Sequence, residues 1–295
     1  MDERLFDEGF FAGLSGLSLK VRWPAGGAYS GGRRSRAHGS TVEFSDFREY
    51  VPGDDFRRVD WNAYARFEKF YLKLFLDERQ LHVRIFMDTS KSMDCGEPKK
   101  GVFARRLAGA LAFLSVRALD RVSVITLSES ARELRPPFTG KAALARALDA
   151  LESVSFGGES RLYEALKGYR GLSRGDGLCV VISDLLTDSD YRAMLDYLLY
   201  NKQQVLLVHL LSPDERRPSM TGRVRLVDSE GRGYRDLELD ARALAMYEKA
   251  VRDYEAEVAS FCSARGIHYI AAGSEEDVCA FLLTKCAAAG IVGTF

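Results

Sequence analysis

The stretch Leu81-His82-Val83-Arg84-Ile85-Phe86-Met87-Asp88-Thr89-Ser90-Lys91-Ser92 sets the reading of the whole chain. Leu81–Met87 carries β-branched or aromatic side chains at Val83, Ile85 and Phe86, as a buried strand does. It runs straight into Asp88-x-Ser90-x-Ser92. In an open α/β sheet, ligands gather beyond the carboxyl ends of strands, where loops meet at a crevice. The same few residues therefore predict a central strand and mark a place where chemistry is to be sought.

Downstream the rhythm repeats. Residues 102–119 place Phe103, Leu107, Leu111 and Leu114 at three- and four-residue spacing, the stripe of a helix lying on a sheet. Val122–Leu127 reads as a strand, Lys141–Val154 as a helix with Leu144, Leu148 and Leu151 on one face, and Leu162–Tyr169 as another helix. Leu178–Ile182 is an unbroken apolar strand, Tyr191–Tyr200 is helical, and Val205–Leu211 is a further strand. A long helix from about Ala241 to Arg265, a strand at Ile267–Ala271 and a helix over Glu275–Ala288 follow. Strands buried on both faces and joined by helices predict an α/β domain with a central, mostly parallel sheet.

Two segments break that rhythm. Residues 20–80 lack helical periodicity, and Thr41–Phe44 and Phe70–Phe75 resemble strands around a polar, Gly/Pro-punctuated middle. Residues 222–239 alternate through Val224 and Leu226, turn at Ser229-Glu230-Gly231, and alternate again through Tyr234, Leu237 and Leu239, which is a hairpin pattern. The expected organisation is an N-terminal helix and β-rich segment over 1–80, then an α/β domain over 81–295. That domain carries an inserted β-hairpin at about 213–240, expected to pack on the N-terminal segment. Trp61 and Tyr64 are expected in the core of that small attachment.

Lys+Arg and Asp+Glu both number 42, so the formal net charge is zero. Such balance argues against general binding to nucleic acid or to a membrane surface, which needs a cationic excess. The start, Met-Asp-Glu-Arg with Leu5, Phe6, Phe10 and Phe11 broken by Asp7, Glu8 and Gly9, lacks the basic start and apolar core of a signal peptide. Cysteines 95, 179, 262, 279 and 286 are odd in number and widely spaced. That suits reduced thiols better than a disulfide frame or a zinc site. A soluble cytoplasmic protein is expected.

Asp88, Ser90 and Ser92 supply one carboxylate and two hydroxyls from alternating positions, which a looped backbone can turn toward a common point. A hard cation such as Mg2+ takes about six oxygens in near-octahedral order and usually keeps several waters. The other donors must then come from elsewhere. Gly157-Gly158-Glu159-Ser160 opens a helix after a glycine pair, and Ser183-Asp184 ends an apolar strand. An Asp-x-Ser-x-Ser by itself is weak, because Ser and Asp also favour turns and helix caps. Its place at a strand end, with two further loops in order, makes it stronger. Mg2+, or alternatively Mn2+ or Ca2+, is the expected ion.

The order of these loops resembles the metal-ion-dependent adhesion site of von Willebrand factor A domains. A longer upstream stretch is more specific. Arg36-Ala37-His38-Gly39, the run Val42-Glu43-Phe44-Ser45-Asp46-Phe47-Arg48-Glu49-Tyr50-Val51-Pro52-Gly53-Asp54-Asp55, and Arg58-Val59-Asp60-Trp61-Asn62-Ala63-Tyr64-Ala65-Arg66 resemble the bacterial domain-of-unknown-function family 58. So do Tyr71-Leu72-Lys73, His209-Leu210-Leu211-Ser212-Pro213 and Thr221-Gly222. The resemblance implies a Rossmann-like A-type domain that binds metal and proteins, often encoded beside a MoxR-type AAA+ ATPase. It makes Asp88, Ser90 and Ser92 direct or near-direct ligands and Asp184 a water-mediated one. Ser160 stands where the family usually has Thr; it keeps the hydroxyl but lacks the methyl that would stiffen the rotamer. Glu159 beside it could reach the ion and take the partner's place.

Such a site is expected to bind rather than react. With one carboxylate on the ion, much positive charge remains, and an acidic side chain from a partner can complete the shell. The expected partner is a MoxR-type AAA+ ATPase or its substrate. Catalysis would need a base or nucleophile near the metal-bound water. Of histidines 38, 82, 209 and 268, His82, His209 and His268 fall in strand patterns, and core or surface roles suit them better. A metal-dependent hydrolase is the alternative reading. Nucleic-acid binding through residues 31–38, with Arg33, Arg34, Arg36 and His38, is a weaker one, since nearby acids such as Glu43 and Asp46 offer internal pairing.

Overall fold

The computed structural model describes residues 4–20, 43–51, 59–76, 81–172, 177–227 and 233–294. The basic cluster at 33–38 and much of the upstream motif, including 52–58, lie outside the described residues. In chain order the elements begin with α1 (Glu8–Leu14), β1 (Leu17–Leu19), β2 (Glu43–Glu49), α2 (Trp61–Phe67), β3 (Tyr71–Leu76) and β4 (His82–Asp88). Next come α3 (Lys100–Arg117), β5 (Arg121–Leu127), β6 (Ala131–Glu133), α4 (Lys141–Glu152), α5 (Leu162–Gly168), β7 (Gly177–Ser183) and α6 (Tyr191–Tyr200). The last are β8 (Gln203–Leu211), α7 (Pro213–Arg216), β9 (Gly222–Val227), β10 (Tyr234–Leu239), α8 (Ala241–Ala264), β11 (His268–Gly273), α9 (Val278–Phe281) and β12 (Val292–Thr294).

The chain divides into two compact units, one of residues 1–22 with 81–295 and the other of residues 23–80. Residues 1–22 thus group with the large unit, whereas the sequence reading placed them with the segment that follows. The reason is apolar. Phe10 and Leu14 of α1 enter the main core, with Phe6 and Phe11 packed against it, and β1 pairs antiparallel with β12.

The large unit is built on a six-stranded sheet in the order β11-β8-β7-β4-β5-β6. All neighbours run parallel except the short β6, which is antiparallel to β5. Counted along the chain, this is the 3-2-1-4-5-6 order of the doubly wound fold, read from the other edge. The period of two is visible in the burial. Val83, Ile85 and Met87 of β4, with Leu178, Val180 and Ile182 of β7, face one core, shared with α1, α3, α4 and α9. Phe86, Cys179, Val181, Val205 and Leu207 face a second core, shared with α5, α6 and α8. The fold is therefore mixed α/β, with a central, mostly parallel sheet covered on both sides.

The short elements are where sequence and structure part. α3 begins at Lys100, ahead of the apolar stripe that marks it. The expected helix over Glu275–Ala288 starts at Val278, because the Asp277 side chain accepts the Ala280 amide at 2.9 Å and caps it there. The expected hairpin forms as β9 paired with β10, in register from Gly222–Leu239 to Val227–Tyr234. No helix among the described residues is long and apolar enough to cross a membrane.

In the smaller unit, β2 and β3 pair antiparallel with a register shift between Phe44 and Asp46. Helix α2, absent from the sequence expectation, is started by Asp60, whose carboxylate accepts the Asn62 and Ala63 amides at 2.9 and 3.3 Å. It buries only Ala63, which leaves no apolar stripe to read. Trp61 and Tyr64 are 57% and 39% exposed, so the expectation that they form a core is corrected. Tyr64 instead stacks on Phe70 with ring centroids 4.5 Å apart, and Trp61 meets both rings edge-on.

Two predictions follow from this packing. Leu107→Ala on α3, at a fully buried position, should cost about 2–5 kcal/mol in urea unfolding, while Met246→Ala on the exposed face of α8 should stay within about 0.5 kcal/mol. The second concerns His82, half-buried at the start of β4, where burial, then Arg84 and Arg121, push its imidazole down to about 4 from an ordinary 6.5. The folded state keeps it neutral while the unfolded chain takes up a proton, so its contribution is present above 6.5 and lost as pH falls toward 4. Between pH 7 and 4.5, roughly spanning that window, wild type should lose more unfolding free energy than His82→Gln.

Candidate metal centre

The switch point of the sheet lies between β4 and β7, which are neighbours although α3, β5, β6, α4 and α5 separate them in the chain. From β4 the chain leaves through α3 on one face; from β7 it leaves through α6 on the other. Loops that part in opposite directions leave a crevice at the carboxyl ends of these strands. Asp88 is the last residue of β4, and Ser183 the last of β7.

Asp88 is completely buried. Its Oδ1 accepts the Ser90 amide at 2.9 Å. Its Oδ2 accepts the Ser183 hydroxyl at 2.7 Å and the Ser160 hydroxyl at 3.3 Å. Ser90 Oγ and Ser92 Oγ lie 3.0 Å apart. Burial and then the charge of Asp184 push the Asp88 carboxyl up, against the hydrogen bonds from Ser183 and Ser90 that favour its ionised form.

The loops are stitched to one another. Lys91 donates its amide to Gly158 O at 3.1 Å, and Gly157 to Thr89 O at 2.8 Å, which binds the Ser160 loop to the Asp88 loop. Arg161 N donates to Ser128 O at 3.1 Å, and Thr187 Oγ1 donates to Ser160 O. Gly158 has φ +79°, a conformation that suits glycine, and a Cβ there would lie 3.1 Å from Glu129 Oε1. Ser90 precedes the short 3-10 turn Lys91–Asp94 without a side-chain capping bond, and Ser92 within that turn is 6% exposed.

Asp184 follows β7 and is also fully buried, and its carboxylate is engaged inside the protein. Oδ1 accepts the Leu186 amide at 3.0 Å, and Oδ2 accepts Lys100 Nζ at 2.6 Å. The same ammonium donates to Glu215 of α7. Burial works to lower the Lys100 pKa, yet the charges and hydrogen bonds of Asp184 and Glu215 prevail and raise it. Of the expected ligands, then, Asp88, Ser90, Ser92 and Ser160 are joined by direct contacts, while Asp184 is turned to a lysine. Glu159, by contrast, has its Oε2 held by both Nε and a terminal nitrogen of Arg161, at 3.1 and 2.8 Å.

Lys100 and Glu215, and the bonds that Ser183 and His209 make to the Asp88 and Asp184 loops, are not expected from the sequence. Lys100 carried a signal: it continues the stripe of Phe103, Leu107, Leu111 and Leu114 by one step, and a lysine on a buried stripe requires a partner. His209 is buried in β8, and its Nε2 lies 3.0 Å from Asp184 O, its Nδ1 3.0 Å from Tyr269 Oη. A carbonyl oxygen can only accept, so Nε2 carries the proton and Nδ1 accepts from the tyrosine. Burial lowers the His209 pKa, which keeps the ring neutral, and both nitrogens are committed to holding the Asp184 loop.

Among the described residues no group of three or more His, Cys, Asp and Glu is arranged to hold a metal. A cation here would rest on hydroxyls as much as on carboxylate. One carboxylate and three serine hydroxyls form a hard-oxygen donor set, the chemistry that suits Mg2+, Mn2+ or Ca2+ rather than zinc.

The family described as "Protein of unknown function DUF58" matches this chain over residues 46–257. Uncharacterized proteins of Mycobacterium bovis and Mycobacterium tuberculosis are 26% identical to it over 253 residues, covering 84% of this chain and 80% of each relative. Among solved structures, the conserved hypothetical protein BatB from Bacteroides thetaiotaomicron is 16% identical with a TM-score of 0.43, covering 71% of this chain and 98% of that one. A von Willebrand factor type A structure from Catenulispora acidiphila is 14% identical with a TM-score of 0.36, covering 48% of this chain and 35% of that one.

Ser183 serves two partners, since its hydroxyl donates to Asp88 and accepts the Leu185 amide at 3.0 Å. Ser183→Ala should therefore destabilise the protein by about 1–3 kcal/mol, the cost of leaving buried polar groups unpaired, as read by urea unfolding.

Proposed function

The chain belongs to the DUF58 family, and on that premise we propose that it is a metal-dependent protein-interaction module of the von Willebrand factor A type, binding rather than catalysing. The observation that carries this reading is the convergence on the buried Asp88 carboxylate of hydroxyls from separate loops, with Ser90 and Ser92 beside it. Asp88, Ser90, Ser92 and Ser160 would hold a divalent ion, with Mg2+ the first choice and Mn2+ or Ca2+ as substitutes. The ion supplies a positive centre to which a carboxylate of a partner can bind.

Support for binding over catalysis comes from the side chains nearest the site. The imidazole of His209 is committed at both nitrogens, so it does not stand ready as a general base. Lys100, held between two carboxylates, is kept charged and is a poor nucleophile. What these residues do is hold the Asp184 loop in place and exclude water from its carboxylate.

For the partner we propose a MoxR-type AAA+ ATPase or its substrate, contributing an acidic side chain, in the cytoplasm. That choice rests on the family resemblance of the upstream motif. Affinity capture with the purified ATPase tests it. Wild type should retain the partner in Mg2+ and release it in excess EDTA, with Asp88→Ala failing in both buffers. Retention by Asp88→Ala, or by wild type in EDTA, would sink the metal-dependent reading.

A further inference from the structure

A lysine with no exposed side-chain surface at the edge of a cation site demands an explanation, because burying an ammonium is costly unless its partners are well placed. Lys100 opens α3, the helix that follows the Asp88 loop. Its partners come from two other places in the chain. Asp184 lies beyond β7, and Glu215 belongs to α7, where its Oε2 accepts the Ser212 amide at 2.8 Å while Oε1 meets the ammonium. Ser212 in turn caps α7 through a capping box and packs so closely on Gly96 that a Cβ there would come within 2.5 Å of it. Lys100 is thus gripped by an anchored pair of acids, and Asp184 spends one oxygen on the ammonium and the other on the Leu186 amide.

We infer that Lys100 is a positioning residue that acts as a resident counter-ion: by occupying the Asp184 carboxylate it leaves Asp88 as the single carboxylate facing a divalent ion. This rests on the cation-site reading and says how the site is tuned. A divalent ion meeting both free carboxylates would be neutralised and bound tightly, with little left to attract an acid from outside. With Asp184 taken by Lys100, the ion keeps positive charge and is bound more weakly by the protein alone. Recognition of an acidic partner then becomes the step that completes both charge and coordination. Glu215 sets the balance from the other side, since it shares the ammonium and returns negative charge to the cluster.

Mn2+ titration of the full chain, read by the electron paramagnetic resonance of the free ion, tests this, with thermal melting to check each variant's fold. Lys100→Met and Lys100→Gln, the second keeping a hydrogen-bond donor for Asp184, should each bind Mn2+ at least about tenfold more tightly than wild type, the effect of one nearby charge. Glu215→Gln should bind it more weakly. A merely structural lysine gives the opposite sign, since loosening the site lowers affinity in every variant. If wild type binds Mn2+ and the Lys100 variants bind it equally or more weakly, the inference is overturned and the cation site stands. If wild type shows no binding but the Lys100 variants do, the counter-ion role stands, with the native site dependent on a partner's carboxylate to hold the ion; silence from all of them removes both. Should neither Lys100 variant melt cooperatively alone, recovery of a cooperative melt in Mn2+ supports the role, and no recovery overturns it.

Discussion

Everything at the crevice depends on keeping the Asp88 carboxylate ionisable while it has no contact with water. A buried carboxylate is tolerated only when hydrogen bonds replace its hydration. Here the replacement comes from the Ser90 amide on its own loop, Ser183 at the end of the adjacent strand, and Ser160 from a loop that the chain reaches only after two more strands and two helices. That requirement explains why the Ser160 loop is tied to the Asp88 loop by reciprocal backbone bonds through Thr89, Lys91, Gly157 and Gly158. The Ser160 hydroxyl that helps solvate the carboxylate is also one of the oxygens the proposed cation would recruit, so on that reading stabilising the fold and preparing the site overlap.

The loop after β7 shows the same logic with strain added. Leu185 adopts φ +54°, an uncommon conformation for a branched side chain, and its side chain is nonetheless buried. It is held by several bonds at once. The Leu185 amide reaches Ser183 Oγ, the Leu186 amide reaches Asp184 Oδ1, and Tyr254 Oη of α8 donates to Leu185 O at 3.2 Å. His209 holds the Asp184 carbonyl from below. Strain at Leu185, fixed by so many partners, holds the loop in one conformation, in which the neighbouring Asp184 carboxylate meets Lys100.

What the sequence made legible follows from period and chemistry. Strands β4, β7 and β8 are mostly apolar, with runs over residues 85–87, 178–182 and 205–208 that announce a sheet buried on both faces, and the stripes of α3 and α4 announce what covers it. The grouping of Asp88, Ser90, Ser92 and Ser160 was legible because the first three follow directly from a strand end and the fourth from a glycine-led turn. Helix α2 and the edge strand β6 were not, since α2 buries only Ala63 and so carries no apolar stripe, and three residues are too few to display a period. Trp61 was misjudged because an aromatic ring is counted as core by default, whereas this one packs edge-on against Tyr64 and Phe70 at a largely open position. Lys100 escaped notice for the converse reason: a lysine at a helix start reads as solvent-facing, and only its phase with Phe103 and Leu107 argues otherwise.

The ion cluster at Lys100 is also a poor way to gain stability, and that bears on why it is there. A buried salt bridge returns little more than its desolvation cost, and well-packed apolar side chains of similar volume often do better. The surroundings would accept them: α3 brings Phe103, Ala104 and Leu107 to the same face, and Leu186, Leu211 and Tyr247 line an apolar groove that reaches Glu215. A fold selected for stability alone has no need of an ammonium between Asp184 and Glu215. On the proposed reading, a fold that sets Asp184 next to Ser183, itself bonded to Asp88, without letting both charges act on one ion would need it. The charge of Lys100 is then a constraint imposed by that site rather than a contribution to the core.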